Sequence, residues 1–501
     1  MAGIMDIGIH IPWRRLTDSV AGEAWGRRGG PGEKAVAGHD EDSATMAVAA
    51  ALDSIGKRSS SSIGALYFVS VTSPYAEKAA ASIIAAAVDL GTDIRTQDFG
   101  GSLRAGTGAM LAALDAIRAG SAGEVLVTAG DCRLVPPGSM LEMAFGDAGA
   151  AVLLGMENVA AEPVAFHSTT QETMDFWRTD KQRTVSSGDA RFNRVEAYQK
   201  ITVETCRTVM KKAGLDAKGI KKAVLTSPDG KGHGGVAKAL GLDPKSVVDP
   251  MTDAIGMVGT AQPFIMLANA LENSAPGDKL LLACYGDGCD ALVFEVKEGV
   301  SDFKKRTRPR HASSRLKNYN KYLQYKELLS ECESEFHPFA STIQNSREAP
   351  LTLHFHGKKC LKCATINTLN LRVCPHCGTR DEFESVRLGK TGTLNTYTQE
   401  HYYPTPEPPV TMAVVDLDGG ARYLCQMTDV DAPEVIIGMK LEMTFRKLHD
   451  GGGYHNYCWK CRPVRDAGAV EKGAGDGEKG MGNRDKGGAG SGEKGAAGVG
   501  K

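Results

Sequence analysis

Two Cys-x-x-Cys pairs, Cys360 with Cys363 and Cys374 with Cys377, stand ten residues apart. Each pair turns two thiolates toward one point, and the second pair completes four tetrahedral corners, the geometry that zinc prefers. Four protein ligands leave no open position, so the implied ion is structural and folds its own small module. Four unrelated core cysteines are the competing explanation, and two pairs at this spacing argue against it. His376 lies between ligands and reads as a surface residue. The chain has 12 cysteines, and the others are scattered through apolar or helical surroundings. Such a pattern fits metal binding in a reducing compartment, not a disulfide framework. A third pair, Cys458 and Cys461, lies in an alternating run, where residues three apart face opposite sides of a strand. These two read as strand cysteines.

Upstream, the chain alternates strand-like and helix-like segments. Strand-like runs fall at 65–71, 124–128, 150–154, 222–225, 279–283 and 291–296. Ala-rich helical runs fall at 43–55, 78–88, 106–119 and 259–273. This alternation predicts an α/β layered fold. The two halves echo each other, each closing with a strand after a Gly-Asp, Gly146-Asp147 and Gly286-Asp287. The expected organisation is one half over 1–160, a second over 161–298, a linker with helices over 299–350, a zinc ribbon over 351–385, a small β-barrel over 386–464 and a tail over 465–501. Residues 300–315 read as a basic, solvated linker, and a helical segment is expected at about 318–335. The tail is almost devoid of apolar side chains and is expected to be disordered.

The 501 residues carry a net charge of −1 and are 42% hydrophobic. Neither nucleic acid nor an anionic membrane is favoured as a partner by that balance. Residues 351–464 hold 13 Lys and Arg against 12 Asp and Glu, with no basic stripe. No apolar stretch approaches the ~18 residues of a membrane span. The first residues lack a basic start and a long apolar run, so no signal peptide is expected and a cytoplasmic location is the default.

Several stretches together carry a resemblance. Gly8-Ile9-His10-Ile11-Pro12, Asp40-Glu41-Asp42-Ser43, Ser73-Pro74-Tyr75-Ala76-Glu77-Lys78 and Arg104-Ala105-Gly106-Thr107 come first. Asp175-Phe176-Trp177-Arg178 follows, with Gly188 and Arg191-Phe192 after it, and then Pro228-Asp229-Gly230-Lys231. In this order and spacing, residues 3 to about 300 resemble HMG-CoA synthases of the archaeal type, within the thiolase superfamily. Residues 319–463, with His356-Gly357 before Cys360 and Trp459-Lys460-Cys461-Arg462-Pro463 at the end, resemble the OB-fold and rubredoxin-like zinc-ribbon proteins that accompany such enzymes. The resemblance implies a thiolase-like αβαβα fold of two duplicated halves, a homodimer, a coenzyme A thioester as substrate or ligand, and a zinc ribbon followed by an OB-fold barrel.

It also implies where catalysis should sit, and there the chain departs from the pattern. The nucleophilic cysteine corresponds to Leu103, the glutamate to Val71, the histidine to Thr226 and an asparagine to Met257. Leucine cannot hold an acyl group and valine cannot move a proton. Shifting the nucleophile position along the turn reaches only Gly101, Ser102 or Arg104. Weaker candidates remain. Cys284, in Cys284-Tyr285-Gly286-Asp287-Gly288, resembles the acid–base cysteine loop of thiolases, or is a buried strand cysteine. Ser102 is the hydroxyl nearest the old nucleophile position. His233 lies beside a Gly-rich turn and reads as a displaced base or a solvent-facing residue. Arg104 either pairs with an anion or lies on the surface at a helix start.

Two functions are therefore expected from the sequence. One is an acyl-CoA acyltransferase of Claisen type. The other is a non-catalytic acyl-CoA-binding or scaffolding subunit that pairs with a separate thiolase.

Overall fold

The computed structural model describes residues 1–303, 313–329 and 339–465. Most of the basic linker and the whole tail after residue 465 thus lie outside the described residues, as does part of the helical segment expected at 318–335. Nine strands build the large sheet: β1 (Gly3–His10), β2 (Ile63–Val69), β3 (Arg95–Phe99), β4 (Glu124–Asp131), β5 (Ala148–Gly155), β6 (Ala161–Thr170), β7 (Lys222–Leu225), β8 (Lys279–Tyr285) and β9 (Gly288–Val296). Their order is β7-β8-β9-β6-β1-β5-β4-β2-β3. β2 runs parallel to β3 and β4, and β7 parallel to β8; the other neighbours are antiparallel. The two halves join where Ile4 faces Ala161.

Six helices cover these strands: α1 (Ser43–Ile55), α2 (Ala80–Ala87), α3 (Ala105–Arg118), α4 (Lys200–Lys212), α5 (His233–Leu240) and α6 (Gln262–Glu272). Side chains alternate across a strand, and here both faces are covered, so the strands read as unbroken apolar runs. On β8, Leu280 and Leu282 pack with α3 and α6, whereas Leu281 and Ala283 pack with α4 and α5. On β4, Val125 and Val127 face α3 and α6, whereas Leu126 faces α1 and α2. The result is five layers, α1/α2, strands, α3/α6, strands, α4/α5. α6 is apolar around most of its circumference because it lies in the middle layer. Both Gly-Asp pairs precede the closing strand of their half, β5 and β9.

Most expected segments match the observed ones closely, and 43–55 and 222–225 coincide with α1 and β7. The helix expected at 259–273 is a single tight turn, Gly259–Ala261, followed by α6. β6 and α4 had no clear sequence signal. β6 buries only its first two residues fully, and α4 is largely polar with one apolar face.

Beyond the linker, a helix (Thr342–Thr352) leads into a three-stranded ribbon of His356–Cys360, Ile366–Asn367 and Phe383–Arg387. A five-stranded sheet follows, ordered Arg422–Gln426, Val410–Leu417, Thr391–Glu400, Lys440–Gly451, Tyr454–Pro463. A bridge between Met427 and Cys461 draws its outer strands together into a barrel.

The barrel packs directly onto the first half. Its core, with Phe355, Phe445 and Trp459, is continuous with the apolar layer of α1 and α2. A buried ion cluster lies on the same seam. Arg446 reaches Asp40 at 3.1 Å, Glu41 at 2.9 Å and Asp429 at 2.6 Å, and Lys460 reaches Asp40 at 2.9 Å. Asp42 caps α1 through a reciprocal pair with Thr45 and accepts a hydrogen bond from Tyr457 at 2.6 Å.

Candidate functional site

Where the halves meet, the end of β2, the turn before α3, the end of β4 and the end of β8 converge. One residue, Asp131 at the end of β4, ties that strand to the end of β2 and to the turn into α6. Its Oδ1 accepts hydrogen bonds from Ser70 Oγ (2.9 Å), Val71 N (2.8 Å) and Thr72 Oγ1 (2.8 Å). Its Oδ2 accepts from Thr260 N (2.7 Å) and Thr260 Oγ1 (2.8 Å). Gly259, at φ +62°, must be glycine here, because a Cβ would fall 2.3 Å from Asp131 Oδ2.

The structure brings the four substituted positions together. Val71 and Leu103 line a cavity of about 150 Å³. Leu103, Thr226 and Met257 line an adjoining hollow of about 20 Å³, and Arg133 and Tyr285 line both. Leu103 immediately precedes Arg104, the cap of α3, so its backbone stands at a helix N-terminus.

Cys284, at the end of β8, lines the smaller hollow and is 1% exposed. Its Sγ lies 3.7 Å from the carbonyl oxygen of Leu103. Burial pushes its thiol up to about 12, so it is protonated at neutral pH and a poor nucleophile as it stands. Ser102 lines the larger cavity, and its buried hydroxyl has no hydrogen-bond partner among the described residues. His233 opens α5 and lines neither space. Arg104 pairs with Asp290 at 3.0 Å, and Asp290 also accepts from Thr107 at 2.7 Å. It is thus a brace between α3 and β9.

Sequence reasoning passed over Arg133 and treated Asp175 only as part of a motif. Asp175, which lines the larger cavity, accepts a hydrogen bond from the Phe176 backbone at 2.6 Å. Burial raises its carboxyl above the usual range, and the nearby Asp287 adds to the shift. The sequence marks Arg133 only as a cation two residues past Asp131 at the end of an apolar strand, which does not say what the cation meets.

A larger cavity lies elsewhere. It is about 350 Å³, sits on the seam between the first half and the barrel, and is lined by His10, Arg15, Lys390 and Arg462. None of the four substituted positions reaches it.

In the ribbon, the four cysteine sulfurs lie within 4.8 Å of one another. Cys360–Cys377 and Cys363–Cys374 are each 3.6 Å apart. A tetrahedron with Zn–S bonds of ≈ 2.3 Å has sulfurs roughly 3.8 Å apart, so the four side chains fit zinc.

Two sheet halves around two buried helices, with a site at the N-terminus of one, define a thiolase-like acyltransferase scaffold. The solved structures agree. An HMG-CoA synthase complexed with CoA superposes at a TM-score of 0.61 and 17% identity, over 68% of this chain and 94% of that one. OleA of Xanthomonas campestris, with bound lauric acid and lauroyl-CoA, superposes at 0.51 and 19% identity, over 59% and 98%. By sequence, the hydroxymethylglutaryl-CoA synthase of Methanopyrus kandleri is 31% identical over 316 residues, which is 61% of this chain and 90% of that one. That of Methanothermobacter thermautotrophicus is 32% identical over 315 residues, 60% and 90%. The chain belongs to the hydroxymethylglutaryl-CoA synthase family. Its residues 385–446 match the C-terminal OB-fold domain of ChsH2.

Among the described residues, no helix is long and apolar enough to cross a membrane.

Proposed function

We propose that this chain binds an acyl-CoA in the family's acyl pocket without forming an acyl-enzyme there. One observation carries the reading: Val71, Leu103, Thr226 and Met257, the positions matched to the family's reacting groups, line two hollows that share Leu103 as a wall, and they offer neither thiolate, carboxylate nor imidazole. Leu103 stands where the nucleophile belongs, and the nearby Cys284 thiol is held protonated by burial. Both the sequence relatives and the CoA complex of a structural neighbour support a CoA thioester as the ligand. The zinc ion, held by Cys360, Cys363, Cys374 and Cys377, supplies folding energy to the ribbon and takes no part in chemistry.

Two features support the subunit reading over that of a self-sufficient enzyme. The barrel is welded to its own scaffold through Arg446 and Lys460. The outer edge of β3 ends the sheet and is open to a second strand, which suits a homodimer or pairing with a related thiolase subunit.

The test is intact-protein mass spectrometry after incubation with acetyl-CoA, paired with calorimetric titration of CoA. The expected result is saturable CoA binding and an unchanged protein mass. An acid-stable acetyl adduct on any cysteine overturns the proposal.

A further inference from the structure

The acyl cavity contains a cation that the family mechanism does not use. Arg133 is 6% exposed and lines both hollows. It makes no hydrogen bond or ion pair with any described residue. Its two nearest carboxylates attract it through space without a hydrogen bond to it: Asp131 accepts five from the loops around it, and Asp175 accepts one from the Phe176 backbone. What holds the guanidinium is aromatic. Its carbon lies 4.0 Å from the Phe145 ring centre and 5.7 Å from that of Phe176. Rings orient a planar cation but leave its N–H edge free. Burial lowers its pKa to about 10, which still leaves it charged at neutral pH.

A buried, charged, five-donor group without an acceptor is costly unless a ligand supplies one. A carboxylate fits best, because the guanidinium fork binds it through two parallel hydrogen bonds. The cavity of about 150 Å³ has room for a short acyl group, roughly the size of benzene.

Resting on the acyl-CoA reading above, we propose that Arg133 is a carboxylate receptor, which selects thioesters whose short acyl group ends in a carboxylate. The group replaces the lost covalent anchor, holding by charge what an acyl-enzyme holds by a bond.

The test compares malonyl-CoA with isovaleryl-CoA, its uncharged isostere, and with free CoA, by calorimetric titration of the wild type, R133Q and R133K. The expected result is a wild-type preference for malonyl-CoA of at least tenfold. R133Q abolishes that preference, R133K retains part of it, and free CoA binds all three proteins equally. Equal affinities of the two thioesters for the wild type, or a preference that survives in R133Q, overturn the carboxylate role and leave the acyl-CoA reading standing. Failure of free CoA to bind any of them removes that reading, and the receptor with it.

Discussion

Asp131 shows how much of this site is scaffolding. A carboxylate 0% exposed and holding five donors organises both the Val71 loop and the turn into α6. In D131N the amide would turn a donor toward groups that are themselves donors. The loss should be about 3 kcal/mol, in line with breaking a buried hydrogen-bonded charge, and urea denaturation measures it. Cys284 makes the opposite kind of prediction. Its thiol is buried and pushed up to about 12, so iodoacetamide at pH 7.5 should leave it unmodified in the folded protein. Peptide mapping after labelling, with and without denaturant, gives the answer. Modification in the native state at the rate of a free thiol would mean that the pocket opens.

The ribbon is the element most dependent on something other than its own packing. Its strands are two to five residues long, and Leu361 and Leu369 are exposed, so its apolar core is slight. Four thiolates placed to hold one ion would replace that core. C363S should therefore carry less than a tenth of the wild-type zinc by elemental analysis, and its ribbon should unfold while the sheet remains. Limited proteolysis within residues 361–382 reads the second effect. Attachment of the ribbon to the scaffold runs through Asp89, which lies 2.9 Å from His356 and 3.3 Å from Arg387. α3 illustrates a different dependence. Its position is set by the Arg104–Asp290–Thr107 brace, which links the helix to the second half.

The two modules fold against each other as one body, and the ion cluster at their seam sets its pH range. Asp40 and Glu41 are both held below the usual carboxylate range despite burial; for Asp40, Lys460 and Arg446 are responsible, and for Glu41, Arg446 and a hydrogen bond from His10. Glu41 falls to about 2. Depressed carboxylates add stability that is complete above their unfolded pKa of ≈ 4 and is lost as pH falls through the folded value. The contribution of Asp40 and Glu41 to the denaturation midpoint should hold steady from pH 7 to 5 and fall between about pH 4 and 2. R446M leaves three buried carboxylates without their shared cation. It should lose about 3–5 kcal/mol at pH 7 and show a flatter acid dependence, both read from urea titrations across this range.

The cysteine pairs, the β/α alternation and the family motifs were legible in the chain. Each is a local pattern, enforced by ligand spacing or by the period of a strand or helix. The match of Leu103 and Val71 to the family's reacting positions is a reading of the same local kind, taken from fixed offsets to motifs. Arg133 was not, because its meaning lies in what surrounds it: Phe145 and Phe176 beside it, and Asp131 saturated by residues some 60 to 130 positions away. Nor was the seam, where Asp40 and Arg446 meet across 406 residues. Whether a charge is paired, bare or shared depends on long-range packing, and no period in a sequence encodes it.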